Sequence, residues 1–453
     1  MAKRAMRPQD AGHSMATMEP ERSNAAVCSS SGSRVNLGSC SQERELPEVK
    51  LYLDSARGTR MRIGKCEILM LAAMSLLSGC KNFWQIIATG GGSCTTQCTS
   101  VSSGVFYVLD SSAGQLELAG YSIVDGTLTP VTGSPYKVPS GPYVLAVSPN
   151  DSFLYVSTQS GIYLYTIGAG GSLTLASSTP ISDDFAAYTM QVDATNSWLV
   201  EASGSGYLYA YPVDPATGAT TGKVQQVSLA GIRPHQLAIS PDNRNVFVAL
   251  GGSGTEAIPF AASSENPLPK TVGVPIAVKT PGSAAISVAF DPGNKLLYIG
   301  ETAGTSGGTN TGVLRAFLYS SLSSTPDEVS GSPYPSGGIT PVSILPSSSG
   351  AYVYVANATV SNSSTGNVAE FSVTASATAY LLSPLSSTAS TGTTPADLAE
   401  DSTGSVILLV NSGGSPDLDV YTFDTTTPGK LDAAFTFATG TDPVGALAIA
   451  AAP

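Results

Sequence analysis

A phrase that recurs about every 50 residues dominates the chain from Gly104 onward, and self-similarity at that period restricts it to a ring or a stack of equal units. The clearest copy starts at Pro142 and reads PYVLAVSPNDSFLYVSTQSGIYLYTIGAGGSLTLASS. LAVS and FLYVS flank Pro149, Asn150 and Asp151, residues that favour a tight turn. GIYLYTI alternates in hydropathy, and SLTLAS follows a Gly-rich turn. Each copy is therefore expected to form a four-stranded antiparallel meander. Aligned on the residue before the first strand, the copies start at Pro142, Ala187, Pro234, Ala285, Pro341, Pro395 and Pro443, with spacings of 45, 47, 51, 56, 54 and 48.

The seventh start leaves room for only one strand, Ala446 to Ala450, before the chain ends. The missing three stand at the other end of the repeat region: VFYVLD from Val105, LAGYSIV from Leu118 and GTLTPVTGSPY from Gly126. Six complete copies and one assembled from both termini make an all-β, seven-bladed propeller over 104–453, closed by a C-terminal strand joining N-terminal ones. Composition agrees: 47 Gly, 30 Pro and 19 Tyr against 2 Trp suit short strands and tight turns rather than helices. From Cys80 onward there are 10 basic against 25 acidic residues, a balance that repels phosphate backbones and excludes nucleic acid as a partner.

Ahead of the repeats, Arg62 and Lys65 precede an apolar run from Ile68 to Leu77, followed by Ser78, Gly79 and Cys80. This is the layout of a secretory signal, and an apolar run of ten residues is too short for the roughly 20 that a membrane-spanning helix needs. The expected organisation is an upstream extension over 1–60, disordered or never translated if Met61 is the initiator, then a signal over 61–79, a Gly/Ser/Thr-rich tether over 80–103, and the propeller. All six Cys lie within the first 98 residues, so the propeller is neither disulfide-built nor a Cys-ligated metal site. Cys94 and Cys98 are expected to form a local disulfide, with a zinc pair as the alternative.

The residues Leu77, Ser78, Gly79 and Cys80 resemble the bacterial lipoprotein box, which implies lipidation at Cys80 and, with Lys81 next, a lipid anchor in the outer membrane or at the cell surface. YVYVAN at Tyr352 to Asn357, FLYVST at Phe153 to Thr158 and PHQLAISPDNRNVFV at Pro234 to Val248 resemble the YVTN-type and 6-phosphogluconolactonase-like seven-bladed propellers. The resemblance covers the whole span from Gly104. It implies that His235 activates water as general base, that Arg233 steadies the carbonyl oxygen or a carboxylate, and that Glu301 orients them. Glu301 departs from the family's usual Asn-Glu phrase: Gly300 precedes it, and it belongs to the copy after the one carrying the His.

The second-strand ends Asp110, Thr158, Ala202, Leu250, Glu301, Asn357 and Ser412 would, if they faced the axis, offer oxygen ligands to a hydrated sugar, with Asp110 and Asn357 as binding residues beside Glu301. The same residue types also suit turns for purely local reasons. No cofactor is expected; calcium in the central channel is the one ion such a ring would take. Nine Lys or Arg in the propeller are few for a phosphorylated ligand, so a neutral lactone is expected. Two functional classes remain: an envelope lactone hydrolase, and a non-catalytic surface propeller binding a glycan, peptide or envelope protein at the axial mouth. Both are expected to be monomers tethered to the membrane through Cys80. The long polar loops at Thr302 to Gly312 and Thr359 to Gly366 are a further place for recognition.

Overall fold

The computed structural model describes residues 102–437 and 449–452, apart from 111–116, 125–126, 183–186, 223, 305–310, 320–326, 361–362, 364, 376–378 and 415. The signal, Cys80, Cys94, Cys98 and most of the tether lie outside the described residues. The described strands form seven antiparallel sheets arranged as a ring of blades, as the repeat predicts. Blade 1 comprises Pro142–Val147, Phe153–Thr158, Gly161–Ile167 and Leu173–Leu175. Blades 2 to 6 begin with the innermost strands Ala187–Val192, Gln236–Ile239, Ala285–Phe290, Pro341–Pro346 and Pro395–Glu400.

Blade 7 joins the chain ends. Ile449–Ala452 pairs antiparallel with Ser102–Asp110, with Val108 opposite Ile449 and Val105 opposite Ala452. The closing strand sits slightly later than the expected Ala446 to Ala450. Blade 3 departs further from the repeat, because its sheet has three strands and its fourth line is reduced to a single bridge between Thr255 and Ile276. Pro267, Pro269 and Pro275 crowd this stretch, and residues without an N–H cannot extend a ladder.

The second strand of each blade is buried on both faces, and its side chains alternate between two neighbours. Phe153 and Tyr155 pack toward blade 2, while Leu154 and Val156 pack toward blade 7. Tyr354 and Ala356 likewise face blade 6, and Val353 and Val355 face blade 4. The described core accordingly falls into seven clusters, one at each boundary between adjacent blades, including that between blades 7 and 1. There is no single central core. The stability of each blade depends on having two neighbours.

The tyrosine of the second-strand phrase has a definite task at three boundaries. Tyr107 donates to the Gly171 carbonyl at 2.8 Å, Tyr155 to Gly218 at 2.9 Å and Tyr354 to Gly429 at 3.0 Å. Each bond crosses from one blade to the outer turn of the next, inside apolar surroundings where an unmade bond is costly. Burial pushes all three phenols far above their ordinary pKa, so they remain neutral donors.

The turn between first and second strands is equally regular. Asp151, Asn196, Asn243, Asn294, Gly350 and Gly404 occupy one position in six blades, with φ between 54° and 69°. Asn, Asp and Gly tolerate this left-handed conformation, which explains the SPND, SPDN and DPGN phrases. Each donates its N–H to the carbonyl three residues earlier at 2.8–3.0 Å.

Tyr155→Phe keeps the packing but leaves the Gly218 carbonyl unbonded; urea unfolding is expected to show a loss of about 1–2 kcal/mol. At the boundary of blades 5 and 6, Glu370 accepts from Leu431 N–H at 3.2 Å through one oxygen, and its other oxygen has no partner. Burial pushes its carboxyl up to about 7. A group protonated in the fold contributes stability that is complete at low pH and is lost as pH rises through about 7. Glu370→Gln is therefore expected to remove on the order of 1–3 kcal/mol of pH dependence between mildly acidic and mildly alkaline urea titrations, and to be the more stable form above neutrality.

Candidate active site at the channel mouth

The innermost strands enclose an axial cavity of about 540 Å3. One end is bounded by Tyr188 and His235 near the starts of their strands, and the other by Pro149 and Asn243 in the first-to-second turns. Between them the lining is mostly aliphatic, and several polar side chains bridge neighbouring strands. Thr189 Oγ1 accepts from Leu237 N–H at 3.0 Å, Gln191 Oε1 from Ile239 N–H at 2.9 Å and Gln236 Oε1 from Val288 N–H at 2.9 Å. Innermost strands have backbone donors on the open edge facing the preceding blade, and these side chains satisfy them. Asp397, a carboxylate in the same lining, accepts from Ser343 Oγ at 2.8 Å.

The mouth is built by a repeated irregularity. In blades 1, 2, 4, 5 and 6 the register shifts at the second residue of the innermost strand, at Tyr143, Tyr188, Ile286, Val342 and Ala396. A bulged residue is released from strict alternation, and bulges are a common means of aiming a side chain at a site. His235 holds the corresponding place in blade 3, immediately before Gln236, and donates its N–H to the Ala249 carbonyl at 2.9 Å. This position thus carries Tyr, Tyr and His on three successive blades, followed by Ile, Val and Ala; of the three rings, Tyr188 and His235 line the cavity, and Tyr143 stands against Tyr188.

His235 is exposed, and the edge of its ring lies over the second-to-third turn of its own blade. A Cβ at Gly251 would be 3.4 Å from Nε2, in a backbone conformation of φ 60°. Partial burial of the imidazole, and then the charge of Arg233, lower its pKa below the ordinary value, so the ring is neutral at pH 7 with one nitrogen available as acceptor. Arg233 is exposed on the link between blades 2 and 3.

Glu301 lies elsewhere. It ends the second strand of blade 4, is 1% exposed, and does not line the cavity. One carboxylate oxygen accepts from Arg315 Nη1 at 2.7 Å and the other from Lys279 N–H at 2.8 Å. Arg315 also bonds Glu328, at 3.0 Å through Nε. Although burial opposes it, hydrogen bonds from Arg315, Lys279 and Ser332 hold the Glu328 carboxyl down to about 2. The structure brings His235 to the cavity and sets Arg233 close enough to act on its charge; it does not bring Glu301 there.

The other strand ends behave like Glu301. Asn357 is fully buried, donating to the Ser336 carbonyl at 2.7 Å and to Asn367 at 2.9 Å. Thr158 donates to the Gly161 carbonyl at 2.8 Å. Asp110 closes its strand opposite Glu117. The register places Ser203, rather than Ala202, at the end equivalent to Asn357, and Asn411 rather than Ser412. Asn357 thereby fastens the link between blades 4 and 5, and Thr158 the turn that follows its own strand. Among the described residues no group of three or more His, Cys, Asp or Glu is placed to hold a metal ion.

The family model described as a lactonase seven-bladed β-propeller matches residues 107–446. The chain belongs to this family. Among solved structures, a candidate 6-phosphogluconolactonase from Bacteroides uniformis is similar, with a TM-score of 0.60, 16% identity and coverage of 77% of this chain and 99% of that one. The periplasmic gluconolactonase of Pseudomonas aeruginosa is similar at a TM-score of 0.56 and 18% identity, covering 77% of this chain and 100% of that one. At such identities the likeness is one of fold. No curated protein matches the chain significantly.

The residues missed by sequence reasoning are Tyr143 and Tyr188. Their signal was available one position after the aligned copy starts, where Pro142, Ala187 and Pro234 are followed by Tyr, Tyr and His. Glu301→Ala strands Arg315 beside a single carboxylate; thermal or urea unfolding is expected to show a loss of roughly 2–4 kcal/mol, and Glu301→Gln a smaller one.

Proposed function

We propose that this lactonase-family chain hydrolyses a non-phosphorylated sugar lactone at the channel mouth, as an exported protein tethered by lipid at Cys80. The observation that carries the reading is the placement of His235, neutral at pH 7, at the rim of the axial cavity beside Arg233. His235 takes a proton from water as the water oxygen attacks the lactone carbonyl carbon. Arg233 stabilises the negative charge that grows on the carbonyl oxygen. When the tetrahedral intermediate collapses, the bond from that carbon to the ring oxygen breaks, and the imidazolium returns its proton to the departing oxygen. The product is an open-chain hydroxy acid, whose carboxylate pairs with Arg233. Glu301 serves this scheme as part of the blade 4 scaffold.

The lack of phosphate is supported by charge: Arg233 on the link beside His235 is the one cation this scheme uses and no Lys or Arg lines the cavity itself, whereas a phosphoryl group calls for several converging cations. A non-catalytic propeller that binds a glycan or an envelope partner at the same mouth is favoured by one observation, the engagement of Glu301 by Arg315 rather than by His235.

Assayed against neutral 1,5- and 1,4-lactones of aldonic acids, the wild type is expected to accelerate ring opening, and His235→Ala to lose about 10²–10⁴-fold in kcat/KM. Turnover of 6-phosphogluconolactone is expected to fall below that of the best neutral lactone. The acidic limb of the kcat/KM profile should lie below the ordinary histidine pKa, and Arg233→Gln should move it upward, because removing a neighbouring cation favours the imidazolium. Full activity in His235→Ala, or no hydrolysis of any lactone by the wild type, would assign the mouth to binding alone.

A further inference from the structure

Tyr143 and Tyr188 come from adjacent blades, at a bulged position whose counterpart in the unbulged blade 3 is His235, yet hydrolysis as described makes no use of them. Their ring centroids lie 5.6 Å apart with planes inclined by 39°, a tilted pair in which Tyr143 is half-buried and Tyr188 is the ring that lines the cavity. Tyr188 is 50% exposed, one of the few large apolar side chains among the described residues to be so. It is also held in place from behind. A Cβ on Gly204, in the second-to-third turn of blade 2, would approach Tyr188 Cε2 to 2.4 Å, so the ring occupies space that only glycine leaves. His235 lies over Gly251 in the corresponding turn of blade 3, at a looser 3.4 Å.

We infer that Tyr143 and Tyr188 form a stacking platform for the apolar face of a neutral pyranose ring, with the ring's hydroxyl-bearing edge turned toward His235. The axial C–H groups of a pyranose carry partial positive charge and match the negative face of an aromatic ring, whereas its rim of hydroxyls remains in water. Two tyrosines fixed by packing lose little freedom when the sugar settles on them. A neutral imidazole both donates to and accepts from hydroxyls. A polyanionic sugar is disfavoured by the surplus of acidic over basic residues from Cys80 onward, 25 against 10. The inference concerns binding and holds whether or not His235 is catalytic.

The test is a titration of the purified protein with methyl β-D-glucopyranoside, maltose and cellobiose, followed by saturation-transfer NMR and calorimetry. The wild type is expected to bind at least one of them saturably. Tyr188→Ala is expected to weaken that binding about tenfold or more, and Tyr188→Phe, which keeps the ring, less than about threefold. Gly204→Ala keeps both tyrosines but displaces the Tyr188 ring, and should weaken binding with the unfolding temperature reported alongside. His235→Ala, which removes a hydroxyl partner but keeps both tyrosines, should weaken sugar binding less than Tyr188→Ala does while removing most lactone hydrolysis, which separates the platform from the hydrolytic reading. Absence of binding by the wild type to all three sugars, unchanged affinity in Tyr188→Ala, or a loss in Tyr188→Phe equal to that in Tyr188→Ala would overturn the inference.

Discussion

Closure of the ring is the constraint on which the rest of the structure depends. Every second strand is apolar on both faces, so each blade needs a neighbour on either side, and an open row of seven would leave two such faces in water. Pairing of Ile449–Ala452 with the strand that begins at Ser102 removes both open faces at once. The boundary between blades 7 and 1 is then sealed by the same means as the others, with Tyr107 reaching Gly171 as Tyr155 reaches Gly218.

Closure also fixes the mouth. Left-handed turns at Asp151, Asn196, Asn243 and their equivalents recur at one position in six blades, and a bulge at the second residue of the innermost strand recurs in five. Chemical asymmetry then comes from sequence alone. Identical backbone positions carry Tyr, Tyr and His on one arc and Ile, Val and Ala on the other. The scaffold is repetitive, and the site is the place where the repeat is broken by side-chain identity.

The fold was legible because the repeat encodes it at several levels: strand alternation, turn residues and copy spacing all give the same number of blades. The exception, blade 3, was not legible from spacing, since its copy has an ordinary length; its prolines were the available warning. The site was only partly legible. His235 stands out in the sequence as the propeller's lone histidine and as a match to a family phrase, and the fold sets it in the cavity lining. Glu301 was grouped with it on chain position, but its side chain is turned to Arg315, and a strand-end carboxylate gives no sequence sign of which way it points. Tyr143 and Tyr188 were hidden because strand tyrosines are common here, and only the bulge distinguishes those two from core residues such as Tyr155.

The direct test of closure is the unfolding temperature of a chain ending at residue 448, which lacks Ile449–Ala452, compared with the full chain. The account predicts a large drop, with hydrogen exchange newly rapid at Val105 to Val108 and weakened cooperativity around the ring. An unchanged unfolding temperature with those amides still protected would contradict it.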